Sequence, residues 1–448
     1  MKYVTFFFVF SLSFYYPQSE NVSYLDSWTT TGLPVTSDGE SVFNEVWGFV
    51  QGGLEYAVIG STAGTHVFLV NQNDELDSIG FVQGKHVSTD AVHRDYHDHN
   101  GYLYAVCDEG SSSLQIIDLQ FLPDSLSLVY DNDSLMVRVH NIFIDSSKSK
   151  LYACGVTKLN GGFPMSVYDI SSPTEPNFLS NYEFVNYVHD AYVRNDSAYL
   201  NCGSEGLVVA DFSIPSMPIP LGSLEFYPDK GYNHSGWLSE DAKTYVLCDE
   251  TKSMRVKVLD VSDLSDIKVA SLFTTGFYDE TLPHNVILKN GIAYISYYND
   301  GLQIFDVRDV NLPKRVGYYD SYQGSNLGLY RGVWGVYSNL PSGRLLISDR
   351  KNGLFLLGFN PPPQINSDES FLIFPNPASN YIYFNHTHLG DPDYIIEVFN
   401  SLGQLVDSFN GYQDFMFIDV SNYSIGNYIL KYSSNLSETE FAGSFIKN

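Results

Sequence analysis

Residues 140–154, HNIFIDSSKSKLYAC, and residues 189–202, HDAYVRNDSAYLNC, read as one unit: a histidine, a short alternating segment, a polar turn, a second alternating segment and a cysteine. The unit recurs as HRDYHDHNGYLYAVC (93–107), HSGWLSEDAKTYVLC (234–248) and HNVILKNGIAYISY (284–297), so that His93, His140, His189, His234 and His284 are spaced by 47, 49, 45 and 50 residues. Two further copies carry valine in the histidine position with tryptophan next, VWGFVQGGLEYAVIG (46–60) and VWGVYSNLPSGRLLIS (333–348). Alternation with period two marks strands, and a repeat of this length is that of a propeller blade.

Each copy is followed by a third segment ending in a hydrophobic-Asp step, at Asp118, Asp169, Asp211, Asp260 and Asp306, and by a fourth that leads to the next histidine, as in FLSNYEF (178–184) and RVGYYDSY (315–322). Four short strands in each of seven repeats predict an all-β fold, a seven-bladed β-propeller, in which no repeat buries its apolar faces alone. The seventh repeat ends at GLFLLGF (353–359) without a fourth strand, while VSYLDSW (22–28) matches VGYYDSY (316–322) and has no repeat before it. Residues 22–28 are therefore expected to close the last blade, which ties the ring shut and removes its open edge. Six blades would require discarding a copy with a full strand pair, and the chain shows no unit for an eighth.

Composition fits this class, with 34 Tyr, 30 Phe and 35 Gly in 448 residues. The balance of 24 basic against 52 acidic side chains, a formal charge of -28, argues against binding nucleic acid or an anionic membrane. It suits solubility outside the cell or attraction of cations. Residues 1–19, MKYVTFFFVFSLSFYYPQS, hold one lysine before an apolar run too short for a membrane span, and read as a secretory signal peptide. Cys107, Cys154, Cys202 and Cys248 fall 14, 14, 13 and 14 residues after their histidines, on the second strands of successive blades. Such positions usually lie too far apart for a bridge, so buried free thiols are expected, with a Cys107–Cys154 or Cys202–Cys248 bridge as the alternative.

After the propeller, assigned to residues 20–359, the stretch NPPPQINSDES (360–370) reads as a linker, and a different pattern begins. Residues 371–448 contain alternating strands between Gly and Asn turns, predicting a small C-terminal β-sandwich. Its PNPASN (375–380), NSLGQLV (400–406) and GNYILKY (426–432) resemble the C-terminal sorting domain of the type IX secretion system of Bacteroidota. The resemblance implies type IX machinery as partner and passage across the outer membrane. It also implies removal of the tail, with release or attachment to surface lipopolysaccharide, and thus a secreted or cell-surface location.

The ring also resembles a family. VHNIFID (139–145), NHSGWLSEDAKTYVLCDE (233–250) and PHNVILKNGIAYISYYNDGLQIFDV (283–307) look like the LVIVD-type repeats of choice-of-anchor B proteins, over about residues 22–360. Two places depart from that pattern, HRDY at 93–96 and the acidic pair after Cys248. The resemblance implies architecture and destination but no activity.

The first strand of a propeller blade is the innermost, so equivalent residues at its start converge on one mouth of the axial channel. Neutral imidazoles there are candidate ligands for a divalent transition metal, with His140, His189, His234 and His284 as the leading set and His93 as a fifth wall residue. Trp47, Asp95, Asp190, Trp237, Glu280 and Trp334 are candidate ligand contacts at the same mouth, with Asp279 nearby. Ca²⁺ is a second cofactor class, although Asp124, Asp131 and Asp133 lack a calcium-loop spacing. The competing reading is structural: each histidine, copied with its repeat, bonds to the next blade's backbone. His97, Asp98 and His99 read as a solvated turn. No GxSxG elbow, HExxH pair or phosphate-binding glycine loop occurs. The expected function is an exported binding or interaction module for an extracellular protein or glycan, with a metal-dependent hydrolase or lyase as the alternative.

Overall fold

The structure, a computed structural model, describes residues 19–37, 39, 41–276, 280–322, 330–361, 372–374, 376–385, 394–411, 415–434 and 440–448. Most of the leader and linker assigned from sequence thus lie outside the described residues. The described chain is all-β, its one helical turn being the 3₁₀ segment Leu264–Asp266. It separates into two compact units, residues 1–361 and 362–448.

The first unit is a seven-bladed propeller. Blade I comprises Phe43–Gln51, Leu54–Ser61, Gly64–Val70 and Leu76–Gln83, and blade II Arg94–His99, Tyr102–Cys107, Leu114–Asp118 and Ser127–Asn132. Blades III to VI begin with the inner strands Asn141–Asp145, Asp190–Arg194, Asn233–Leu238 and Val286–Lys289, each followed by three neighbours in chain order. Blade VII is built from Val333–Tyr337, Leu345–Asp349 and Gly353–Phe359, and its outer strand is Val22–Trp28, antiparallel to Gly353–Phe359. Ser19–Glu20 adds a short fifth strand to blade VI, pairing with Lys314–Tyr319.

The repeated hydrophobic-Asp step has a local cause. The carboxylates of Asp118, Asp169, Asp211, Asp260 and Asp306 each accept a hydrogen bond from the backbone N–H two residues on, at 2.7–3.0 Å. This turns the chain out of the third strand toward the fourth. The apolar positions that alternate with polar ones pack blade on blade. Tyr104, Leu114 and Ile116 of blade II meet Ile142, Ile144 and Leu151 of blade III, and Leu346 and Leu356 of blade VII meet Ala57 and Phe68 of blade I. Trp28 covers that last seam, its ring 4.8 Å from those of His66 and Phe68. All four cysteines are free and buried in these layers.

The second unit is the small sandwich. One sheet holds Leu372–Phe374, Tyr381–Asn385 and Phe415–Asp419; the other holds Leu405–Gly411, Tyr394–Asn400, Gly426–Ser434 and Glu440–Lys447. Ile382, Val398, Ile418, Leu430, Tyr432 and Phe445 fill its core.

Candidate functional site

The inner strands of the seven blades neighbour one another around the axis, and the residues at their leading ends face one cavity. His93, His140, His189, His234 and His284 stand there in blade order. Successive ring centroids are 5.1, 4.1, 4.0 and 4.5 Å apart. Trp334 of blade VII completes the circle, 4.6 Å from His284 and 5.2 Å from His93. Five imidazoles and one indole thus form a closed ring at the channel mouth.

Hydrogen bonds orient most of these rings. Nδ1 of His189 lies 3.2 Å from the carbonyl of His234, and Nδ1 of His284 lies 2.5 Å from that of Trp334. Nδ1 of His140 meets Asp108 Oδ2 at 2.8 Å, and Nδ1 of His93 meets Glu109 Oε1 at 2.5 Å. A carbonyl or an ionised carboxylate can only accept, so Nδ1 carries a proton in these four, and in His189 and His284 the Nε2 lone pair is left available. His234 differs in degree: its buried Nδ1 makes no well-formed hydrogen bond, but the backbone of His284 in the next blade stands near enough to act on the ring as a partner. Burial holds His189 and His234 well below the usual histidine range and His284 down at about 3, so these three stay neutral at ordinary pH.

Carboxylates lie beside and beneath the ring. Glu250, from the end of the second strand of blade V, sits 3.7 Å from His234 Nε2 and 3.8 Å from His284 Nε2, and accepts a 2.6 Å hydrogen bond from the Tyr298 hydroxyl. One level deeper, Glu45, Asp95, Asn141, Asp190 and Asn285 form a polar tier that lines both the mouth cavity and an inner chamber. Asn285 donates to Glu45 at 2.9 Å, the Ile142 amide to Asp95 at 2.6 Å, and the Ala191 amide to Asp190 at 2.6 Å. Burial dominates these carboxyls, raising Glu45 to about 8, Asp95 to about 7, Glu250 to about 7 and Asp190 well above its usual value. Gly335 makes room for this tier, since a Cβ there would come 2.1 Å from Glu45 Oε1.

Below the tier the channel turns apolar, with Trp47, His97, Phe143, Trp237, Ile287 and Val336 around the inner chamber. The mouth cavity measures about 50 Å³ and the inner chamber about 60 Å³. Pockets that enclose a drug-sized molecule run to about 300–1,000 Å³, so each space admits an ion with a few waters but no sugar ring.

The five histidines, Asp95, Asp190 and Trp334 all line the mouth, whereas three other candidate contacts lie elsewhere. Trp47 and Trp237 lie one layer deeper, around the inner chamber, Trp237 standing three residues along its strand from His234. Glu280 is not in the channel at all; its side chain is 59% exposed and pairs with Lys252 at 3.5 Å. Asp279 lies outside the described residues. The expected solvated turn at residues 97–99 is instead the end of the inner strand Arg94–His99, with His97 buried 4.4 Å from the Trp47 ring and Asp98 accepting from the Trp47 indole N–H. Individual partners satisfy these polar residues in a strand, the Trp47 indole for Asp98, the Asp98 carbonyl for His97 and the Ser149 hydroxyl for His99. Glu45, Glu250, Asp108, Glu109, Asn141 and Asn285 were missed as site residues. A signal for three of them existed: Cys107 and Cys248 are each followed by an Asp-Glu pair in register, at the strand end that faces the mouth.

Residues 372–442 match the sequence family described as "Secretion system C-terminal sorting domain". The tail is a type IX secretion sorting domain, and it destines the protein for secretion to the cell surface or attachment at the outer membrane. Among the described residues no helix is long and apolar enough to cross a membrane. No curated protein sequence matches the chain. Among solved structures, PorZ, described as an essential bacterial surface component of the type-IX secretion system of Porphyromonas gingivalis, aligns at 12% identity and TM-score 0.48 over 94% of this chain; the chain spans 61% of that protein. U3-55K aligns at 9% identity and TM-score 0.51, over 75% of this chain and 98% of its own. The RRP9 WD40 repeats align at 9% identity and TM-score 0.51, over 77% and 100%. The last two share the propeller fold.

Proposed function

We propose that the protein is an exported binding module whose propeller captures a ligand at the mouth of its axial channel, through a divalent metal ion held by the imidazole ring. The observation that carries this reading is the closed circle of His93, His140, His189, His234, His284 and Trp334, in which four Nδ1 atoms are engaged outside the cavity and the Nε2 atoms are free of hydrogen bonds among the described residues. A purely structural histidine is accounted for by the Nδ1 bonds of His189 and His284 to the next blade. It does not account for the carboxylates gathered against neutral rings, Glu250 beside His234 and His284 above all. An extracellular protein or glycan would supply the remaining ligand from above the ring, and the cavity is too small to swallow it. After processing of the tail, attachment to surface lipopolysaccharide or release belongs to the same proposal, supported by the sorting domain.

One observation favours a second reading, a metal-dependent hydrolase or lyase. Glu250 has a carboxyl raised to about 7 by burial and stands beside two imidazoles, where it could take a proton from a metal-bound water.

The test is elemental mass spectrometry on the purified full chain after exposure to Zn, Mn, Fe or Cu, beside a variant with His140, His189, His234 and His284 changed to alanine. About one ion per chain, lost in the variant, is the expected result. Absence of metal from the wild-type protein under all four conditions would sink it.

A further inference from the structure

We propose that the ion occupies one side of the ring, in a two-imidazole, one-carboxylate seat made by His234, His284 and Glu250, and that it is a transition-metal ion of the Zn, Mn or Fe class. The proposal rests on the binding reading above and narrows it to three residues, one of which is not a histidine.

The geometry singles out this arc. Among the described residues, these three are the one group whose ligand atoms all lie within 4.8 Å of one another. The two oxygens of Glu250 divide between the imidazoles, Oε2 3.7 Å from His234 Nε2 and Oε1 3.8 Å from His284 Nε2. Those separations are too long for hydrogen bonds. They exceed only slightly the roughly 3.4 Å between ligands on a tetrahedral ion with bonds of about 2.1 Å. The full set, with one ligand atom from each residue, lies within 4.8 Å, so side-chain rotation that draws the three atoms together around a cation would complete the seat.

The surroundings are those of a ligand set. Tyr298 holds the carboxylate in place through its hydroxyl at 2.6 Å, and the Trp334 carbonyl fixes the His284 tautomer so that Nε2 carries the lone pair. His234 is only 4% exposed and lines the cavity, with its Nδ1 turned to the backbone of His284 in the next blade, so Nε2 is the nitrogen left toward Glu250. Two imidazoles and one carboxyl group, gathered close yet too far apart to hydrogen-bond one another, are a ligand set that a cation would draw together.

Ligand type sets the class. Imidazole nitrogen selects borderline transition metals over Ca²⁺ and Mg²⁺, which take oxygen shells, so the calcium alternative falls away at this site. Three protein ligands leave at least one position open toward the ring's centre, where water or a ligand group enters.

The experiment is a titration of the full-length protein with Zn²⁺ by calorimetry and with Co²⁺ by its visible d–d bands, for the wild type, Glu250→Gln, Tyr298→Phe and His93→Ala, with circular dichroism melts as a folding check. Expected are one ion per chain, a loss of affinity for Glu250→Gln at least as large as the about 10–100-fold typical of supporting residues, a smaller loss for Tyr298→Phe, and no more than a few-fold change for His93→Ala. A folded Glu250→Gln protein that binds as tightly as wild type, or a His93→Ala protein that loses the ion, overturns the seat while leaving metal capture by the ring intact. No binding of either metal by the wild type overturns the seat, and absence of Mn, Fe and Cu as well overturns both.

Discussion

At the scale of single residues, the polar tier of Glu45, Asp95 and Asp190 is where the chain accepts unfavourable chemistry. Glu45 is raised from the ordinary carboxyl value to about 8, first by burial and then by the Asp95 charge, so the fold binds its proton more tightly than the unfolded chain does. With a folded value above the unfolded one, this group's contribution to stability is fully present below about pH 4.5 and is lost as pH climbs to about 8. Glu45→Gln keeps an acceptor for the Asn285 amide and removes the titration. Its melting temperature should fall less between pH 5 and pH 9 than that of the wild type, and at pH 9 the variant should be the more stable protein. Identical pH profiles would show that Glu45 is not protonated in the fold. The imidazoles were legible in the sequence because each stands at the same phase of a repeat. The carboxylates were not, because Glu45 lies within the first strand of a blade that carries no histidine and Glu250 follows a second strand, and no periodic pattern links them.

At the scale of elements, the outer strand of blade VII comes from the opposite end of the chain. Val22–Trp28 pairs with Gly353–Phe359, and Trp28 packs on Phe43, His66 and Phe68 of blade I, so this strand stitches two blades as well as the ring. Trp28→Ala should cost about 3 kcal/mol, read from the urea midpoint. Tyr24→Ala, on the same strand but 52% exposed, should stay within about 0.5 kcal/mol. Equal effects would mean that strand pairing alone, without the tryptophan seam, holds the closure. Strands and turns were readable wherever apolar alternation met an Asx turn, as at Asp169 with Ser171. Reading failed at residues 97–99, because three polar residues in a row carry no alternation even when the Trp47 ring and the channel wall bury them.

At the scale of the whole molecule, the propeller and the sorting sandwich each have their own core and can be separated. Deleting residues 362–448 should leave the ring's far-ultraviolet spectrum and cooperative melt intact while the protein stays inside the cell envelope. Wild-type levels of the truncated chain at the surface or in the medium would show that export does not depend on the tail. The sequence by itself determined the all-β class, the seven blades, the convergence of the histidines and the exported destination, because a repeat, an alternation and a short signature are local properties that survive without coordinates. Only the tertiary structure decided what the histidines meet. It placed Glu250 between His234 and His284, tied His140 to Asp108 and His93 to Glu109, and set Glu45, Asp95 and Asp190 beneath them. His93 with Glu109 and His234 with Glu250 meet within one blade, whereas His140 with Asp108 and His284 with Glu250 meet across blades, where ring closure, not sequence spacing, sets the distance.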